Sequence, residues 1–98
     1  MDQTQINNQL IEASRNGDIN MVKKMIENGA DVNQANIYDN GNTPLILSSR
    51  EGHFEIVKYL VDNGADVNQV NDDGSTPLIR ASREGHFEIV EYLSLIHI

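Results

Sequence analysis

Gly41-Asn42-Thr43-Pro44-Leu45-Ile46 returns as Gly74-Ser75-Thr76-Pro77-Leu78-Ile79, 33 residues further along the chain. Ser49-Arg50-Glu51-Gly52-His53-Phe54-Glu55-Ile56-Val57 returns at the same offset as Ser82-Arg83-Glu84-Gly85-His86-Phe87-Glu88-Ile89-Val90. A period of this length marks small supersecondary units that cannot bury an apolar face alone and do so by stacking on one another. Asn28-Gly29-Ala30-Asp31-Val32-Asn33-Gln34 also returns, as Asn63-Gly64-Ala65-Asp66-Val67-Asn68-Gln69, but 35 residues on. Two extra residues therefore lie between Gly29 and Gly41. Their place is Ala35-Asn36-Ile37-Tyr38-Asp39-Asn40, whose counterpart Val70-Asn71-Asp72-Asp73 is two residues shorter.

Each unit reads as two short antiparallel helices followed by an extended finger. Thr43 and Thr76 are placed to cap a helix, with Pro44 and Pro77 at the first helical position, where a missing N–H costs nothing. Gly52 and Gly85 end that helix, since glycine takes the left-handed conformation without a Cβ penalty. The second helix carries Phe54, Ile56, Val57, Leu60 and Val61, an apolar stripe of helical period. Met21, Val22, Met25 and Ile26 repeat the stripe in the first unit. Asn28-Gly29 and Asn63-Gly64 directly follow these stripes, which makes them helix ends rather than hairpin turns.

These motifs resemble the ankyrin repeat, whose signature includes Thr-Pro-Leu-His, Gly-His and Gly-Ala-Asp-Val-Asn. The resemblance covers residues 9–93. It implies an all-α fold: an ankyrin-repeat solenoid of stacked antiparallel helix pairs with β-turn or finger connections. The expected organisation is a capping repeat over residues 6–36, a second repeat over 37–70 and a truncated third over 71–93. The sequence departs from the family where Ile46 and Ile79 stand for the histidine after Thr-Pro-Leu, and Ser48-Ser49 and Ala81-Ser82 for an Ala-Ala pair.

The two ends differ. Unit one lacks Thr-Pro and has Asn8-Gln9-Leu10-Ile11 in its place, with a polar flank of Asp2, Gln3, Gln5, Asn7, Asn8 and Gln9, as an outer cap requires. At the other end, 17 of 22 aligned pairs from Asp39/Asp72 to Leu60/Leu93 are identical, and the next five share nothing. Leu93-Ser94-Leu95-Ile96-His97-Ile98 is what one reading frame of a widely used transposon-end sequencing adaptor encodes. Residues 94–98 are accordingly expected to be a non-repeat tail that the gene itself does not specify. Ile89, Val90 and Leu93 are expected to face a neighbour that is missing, a face that invites self-association and leaves the chain marginally stable.

The 98 residues suffice for one domain with a modest core. No apolar run is long enough to span a bilayer, and Met1-Asp2-Gln3-Thr4-Gln5 does not have the pattern of a secretory signal. An intracellular, cytoplasmic protein is the expectation, with a host-directed effector as the open alternative. Seven Lys and Arg against fifteen Asp and Glu give a net charge of −8. That balance argues against nucleic acid and anionic membranes as partners. It favours solubility and, second, partners with a basic patch.

Catalytic chemistry finds no foothold. There is no cysteine, no Gly-x-Ser-x-Gly turn and no Gly-rich phosphate loop. His53 and His86 lie one repeat apart, roughly 8–10 Å on stacked helices, too far for both to come within about 2.1 Å of one zinc. They read as polar residues that tie down the turn between helices. Glu51, Glu55, Glu84 and Glu88 occupy polar positions of the repeat. No catalytic residue, metal or cofactor is implied, and the protein is not expected to be an enzyme.

The resemblance implies instead that a protein partner is held along the finger tips and the inner helix face. In this sequence those positions are Tyr38, Asp39, Asn40, Asn42, Leu47, Arg50 and Glu51 in unit two. In unit three they are Asp72, Asp73, Ser75, Arg80, Arg83 and Glu84, and unit one offers Glu12, Arg15 and Asn16. Arginine and aromatic residues contribute disproportionately at interfaces, which singles out Arg50, Arg80, Arg83 and Tyr38. Ile37 and Tyr38 in the insertion either face a partner or fold back over the finger. The leading expectation is an interaction module at the front of a longer repeat protein. The alternatives are the targeting arm of an enzyme encoded downstream, and a spacer without a partner.

Overall fold

The computed structural model describes residues 1–96. Among these residues six helices follow one another in three pairs: α1 (Gln3–Asn16) with α2 (Ile19–Glu27), α3 (Pro44–Glu51) with α4 (Phe54–Asp62), and α5 (Pro77–Arg83) with α6 (Phe87–Ile96). The first helices of the pairs stack as an inner layer in the order α1, α3, α5, and the second helices as an outer layer in the order α2, α4, α6. Finger 1 joins α2 to α3 and finger 2 joins α4 to α5. Among the described residues no helix is long and apolar enough to cross a membrane.

Local chemistry sets the helix ends. Thr43 and Thr76 accept hydrogen bonds from the N–H groups of Ile46 and Ile79, three residues on, with proline following each cap. Gly52 stops α3 at φ 83°. Helix α1 begins six residues ahead of the Thr-Pro register, at a capping box that the repeat pattern does not reveal. The Asp2 carboxylate accepts from Gln5 N at 2.8 Å, and Asp2 N donates to Gln5 Oε1 at 3.0 Å.

The core runs through the stack as one cluster: Leu10, Ala13, Val22 and Met25 from the first pair, Leu45, Ile56, Val57 and Leu60 from the second, Ala81, Ile89 and Leu93 from the third. Helix α3 lies between α1 and α5, and every residue from position 41 to 49 is buried. The outer layer is joined by edge-to-face packing of Phe54 on Tyr92, centroids 5.7 Å apart, and by Lys23 Nζ over the Tyr59 ring at 5.6 Å.

The expected open face at the third unit needs correcting. Ile89 and Leu93 are each 1% exposed. Helical period turns them inward against the core, and of the expected trio only Val90 is partly open. The apolar surface left to water is Ile79 (38%) and Phe87 (79%), with Leu95 and Ile96 beyond them.

Candidate functional site

Adjacent units are locked by a few recurring polar clamps. His53 Nε2 donates to the carbonyl of Arg15 at 2.9 Å, and His86 Nε2 to that of Arg50 at 2.9 Å. Each histidine thus reaches back to the end of the preceding inner helix, tying the turn to the previous unit. The imidazole lies over a glycine: a Cβ on Gly17 would come within 2.7 Å of His53, and one on Gly52 within 2.6 Å of His86. In unit one the aligned residue is Asp18, which caps its own helix through Met21 N instead.

A second clamp joins the turns. Asn33 Nδ2 donates to Gly64 O at 3.2 Å while its Oδ1 accepts from Asp66 N at 2.7 Å. Asn33 thus satisfies backbone groups of the next unit's turn. One repeat earlier the same two groups are held by two residues of α1. Gln3 Nε2 donates to Gly29 O at 3.0 Å, and Asn7 Oδ1 accepts from Asp31 N at 2.8 Å.

The fingers are closed by asparagine turns. In finger 1, Asn36 N donates to Asn42 O at 2.9 Å; in finger 2, Asn71 N donates to Ser75 O at 3.0 Å. The two extra residues therefore sit inside the tip, between Asn36 and Asn42. Asn40 (φ 58°) and Gly41 (φ 68°) reverse the chain there. Finger 2 lies along finger 1 through Asp72 N to Asn40 O at 2.9 Å, Asn71 Nδ2 to Asn42 Oδ1 at 2.9 Å, and Asn40 Nδ2 to Asp73 Oδ2 at 2.6 Å.

Of the expected partner-binding positions, three are closed off. Leu47 is 0% exposed, Asn42 3% and Ser75 2%. Leu47 is covered because α3 lies between two inner helices. Asn42 is spent on Asn71, and Ser75 supports its own finger by giving a carbonyl to Asn71 and its Oγ to Arg83 at 3.4 Å. These three are core and frame, not contact surface. Tyr38 is 93% exposed and Ile37 75%, so the insertion does not fold back over the finger.

Asp39, Asn40, Arg50, Asp73 and Arg80 do converge, with the buried amides of Asn42 and Asn71 as their floor, around a recess of ≈ 220 Å³. Asp72, Arg83 and Glu84 are exposed but are not among its lining residues, and Glu51 is held against Arg50 at 2.8 Å. Tyr38 lines a different recess of ≈ 280 Å³, with Thr4, Asn7 and Asn8 of α1 and Gln34, Ala35, Asn36 and Ile37 of the finger. Tyr38 and the arginines therefore do not form one surface. The repeat pattern gave no hint of this second recess, because it lies where unit one departs from the pattern.

Charge is neutralised unevenly along the inner layer. Arg15 meets Asp39 at 2.6 Å and Glu12 at 2.8 Å. Partial burial alone would lower its pKa, but the bond to Asp39 and the charges of Glu12 and Asp39 outweigh it and hold the guanidinium above its ordinary value. Arg50 has one carboxylate, Glu51. Arg80 and Arg83 have none within ion-pair distance among the described residues. Nor, among the described residues, are three or more His, Cys, Asp or Glu side chains grouped so as to hold a metal ion.

No curated protein matches the chain at a significant level. A family model described as "Ankyrin repeats (3 copies)" matches residues 10–97. That span takes in the second half of α1, the other five helices, both fingers and the histidine and Asn33 clamps, and leaves out Gln3 and Asn7. Repeats of this kind generally serve as protein–protein interaction modules. The chain belongs to the ankyrin-repeat family.

Proposed function

We propose that the chain is an interaction module that holds a polypeptide partner against its fingers and inner helices, and that it is the N-terminal part of a longer repeat protein. The observation that carries the reading is the recess around Arg50 and Arg80. It offers two guanidinium groups, one without a carboxylate partner among the described residues, beside the Asp73 carboxylate and the floor amides. Its walls are fixed by finger-to-finger hydrogen bonds, so a partner need not order the site as it binds. Arginine in such a setting binds carboxylates through two parallel hydrogen bonds.

The longer protein is supported by the third unit. Ile46 is fully covered while its twin Ile79 is 38% exposed, and Phe87 lies 79% open. A further repeat in the same register would cover both.

Charge reversal of Arg50, Arg80 and Arg83 together tests the binding face. The triple variant should lose at least tenfold in affinity for a partner recovered with a C-terminally capped form of the protein, with its thermal unfolding little changed. Unchanged affinity would sink the assignment. An independent DNA read across codon 93 tests the rest. Further repeats in place of residues 94–98 support the longer stack. A catalytic domain directly after it would make the stack an enzyme's targeting arm.

A further inference from the structure

The two fingers differ in what lies on their N-terminal side. Finger 2 has finger 1 there and spends three donors on it: Asp72 N to Asn40 O, Asn71 Nδ2 to Asn42 Oδ1, and Gln69 Nε2 to Asn33 O at 3.2 Å. Among the described residues no finger lies on that side of finger 1, and the equivalent donors behave differently. Asp39 N turns inward to Asn36 O at 3.1 Å. Gln34 Nε2 folds onto its neighbour's carbonyl, Ala35 O, at 3.1 Å. The Asn36 amide group donates to no described residue, although its Oδ1 accepts from Tyr38 N at 3.0 Å. The recess of ≈ 280 Å³ between α1 and the finger occupies this same side.

Its lining is specific. Thr4, Asn7, Asn8, Gln34 and Asn36 supply hydroxyl and amide groups, Ala35, Ile37 and the Tyr38 ring supply apolar surface, and no carboxylate, amine, guanidinium or imidazole is among its lining groups. Ile37 and Tyr38 stand at its rim, both largely exposed. A charge buried here would find no counter-charge, whereas an extended backbone with apolar side chains would find donors, acceptors and apolar cover.

We infer that this recess seats an extended, uncharged segment of a partner protein, which lies along the outer edge of finger 1 as finger 1 lies along finger 2. One of its backbone oxygens accepts from Asn36 Nδ2, and an apolar side chain covers Ile37 and Tyr38. The inference rests on reading the chain as an interaction module, but on a face separate from the arginine recess. A second copy stacked head to tail is a poor occupant. It would bring the apolar Ile79 and Phe87 against the polar, exposed start of α1, where Asp2, Gln5 and Asn8 stand.

Selection of linear random peptides displayed against the 98-residue chain tests this. Their sites are mapped by amide chemical shifts, and affinities compared across variants. Asn36→Asp keeps the acceptor for Tyr38 N and removes the donor, and Tyr38→Ala alters only an exposed side chain. The expected result is a set of uncharged peptides that shift Asn7, Asn8 and residues 34–38. Each variant should weaken them at least tenfold, while Arg50→Glu with Arg80→Glu leaves them unchanged. The inference is overturned if no such peptide emerges, or if affinity survives both Asn36→Asp and Tyr38→Ala. Peptides lost only on reversing the arginines would overturn it too, and leave the proposed function standing. Concentration-dependent dimers abolished by Asn36→Asp would give the recess to a second copy and likewise overturn it.

Discussion

Units two and three are near copies in sequence, yet they do not share an environment. Ile46 is 0% exposed and Ile79 38%. Ser49 is buried and Ser82 exposed. A Cβ on Gly52 would strike His86, whereas one on Gly85 would meet nothing within 4 Å. Asn33 clamps the turn that follows it, and Asn68 has no later Gly-Ala-Asp turn among the described residues to hold. The difference lies in the neighbour and not in the unit. In a linear stack a residue's burial is set by the repeat on its far side, so identical motifs carry unequal shares of the stability.

Twin substitutions test that lesson. The largest expected contrast is Ile46→Ala against Ile79→Ala. Removing the covered side chain should cost about 3 kcal/mol and removing its half-open twin less than about 1 kcal/mol, read from urea unfolding. Equal costs would show that the third unit is as enclosed as the second. Next come the glycines. Gly85→Ala bears only the left-handed backbone penalty, about 1 kcal/mol. Gly52→Ala adds the collision with His86 and should cost at least about 2 kcal/mol; a double variant with His86→Ala should recover the excess. The smallest effect has the opposite sign. Ser49 Oγ is buried without a hydrogen-bond partner among the described residues, so Ser49→Ala should stabilise by roughly 0.5–1 kcal/mol, while Ser82→Ala should leave the midpoint unmoved.

Much of the fold can be read from spacing alone. Thr43-Pro44 and Thr76-Pro77 announce caps by their chemistry, Gly52 a helix stop by its conformation, and the shift from a 33- to a 35-residue offset locates the insertion. The start of α1 was also legible, since Asp2 and Gln5 have the spacing of a capping box, but the repeat register drew attention to Asn8 instead. The site was less legible. Leu47 aligned with Arg80 suggests a variable, exposed position, and only the stacking of α3 between α1 and α5 shows that the leucine is core. Asn42 and Ser75 look like finger-tip polars until their partners across the turn are seen. Ile89 and Leu93 are the converse case: helical period turns them into their own unit's core, and they are as buried as Ile56 and Leu60 with no unit beyond them. A repeat pattern says which residues are equivalent, but not which equivalents have a neighbour.

Two amide pairs isolate the central claim without any substitution. Leu47 N bonds Thr43 O at 3.0 Å and Arg80 N bonds Thr76 O at 3.1 Å, and Val57 N and Val90 N each bond their histidine's carbonyl at 3.0 Å. The hydrogen bonds match; Val57 and Val90 are also the same residue, so what differs between those two is the unit beyond them, while Leu47 and Arg80 differ in side chain as well. Native-state hydrogen exchange should find Arg80 and Val90 opening at least tenfold more often than Leu47 and Val57, a gap of about 1.4 kcal/mol or more. Equal protection across both pairs would mean that units two and three open as one, and would contradict a stability decided by the neighbour and not by the repeat.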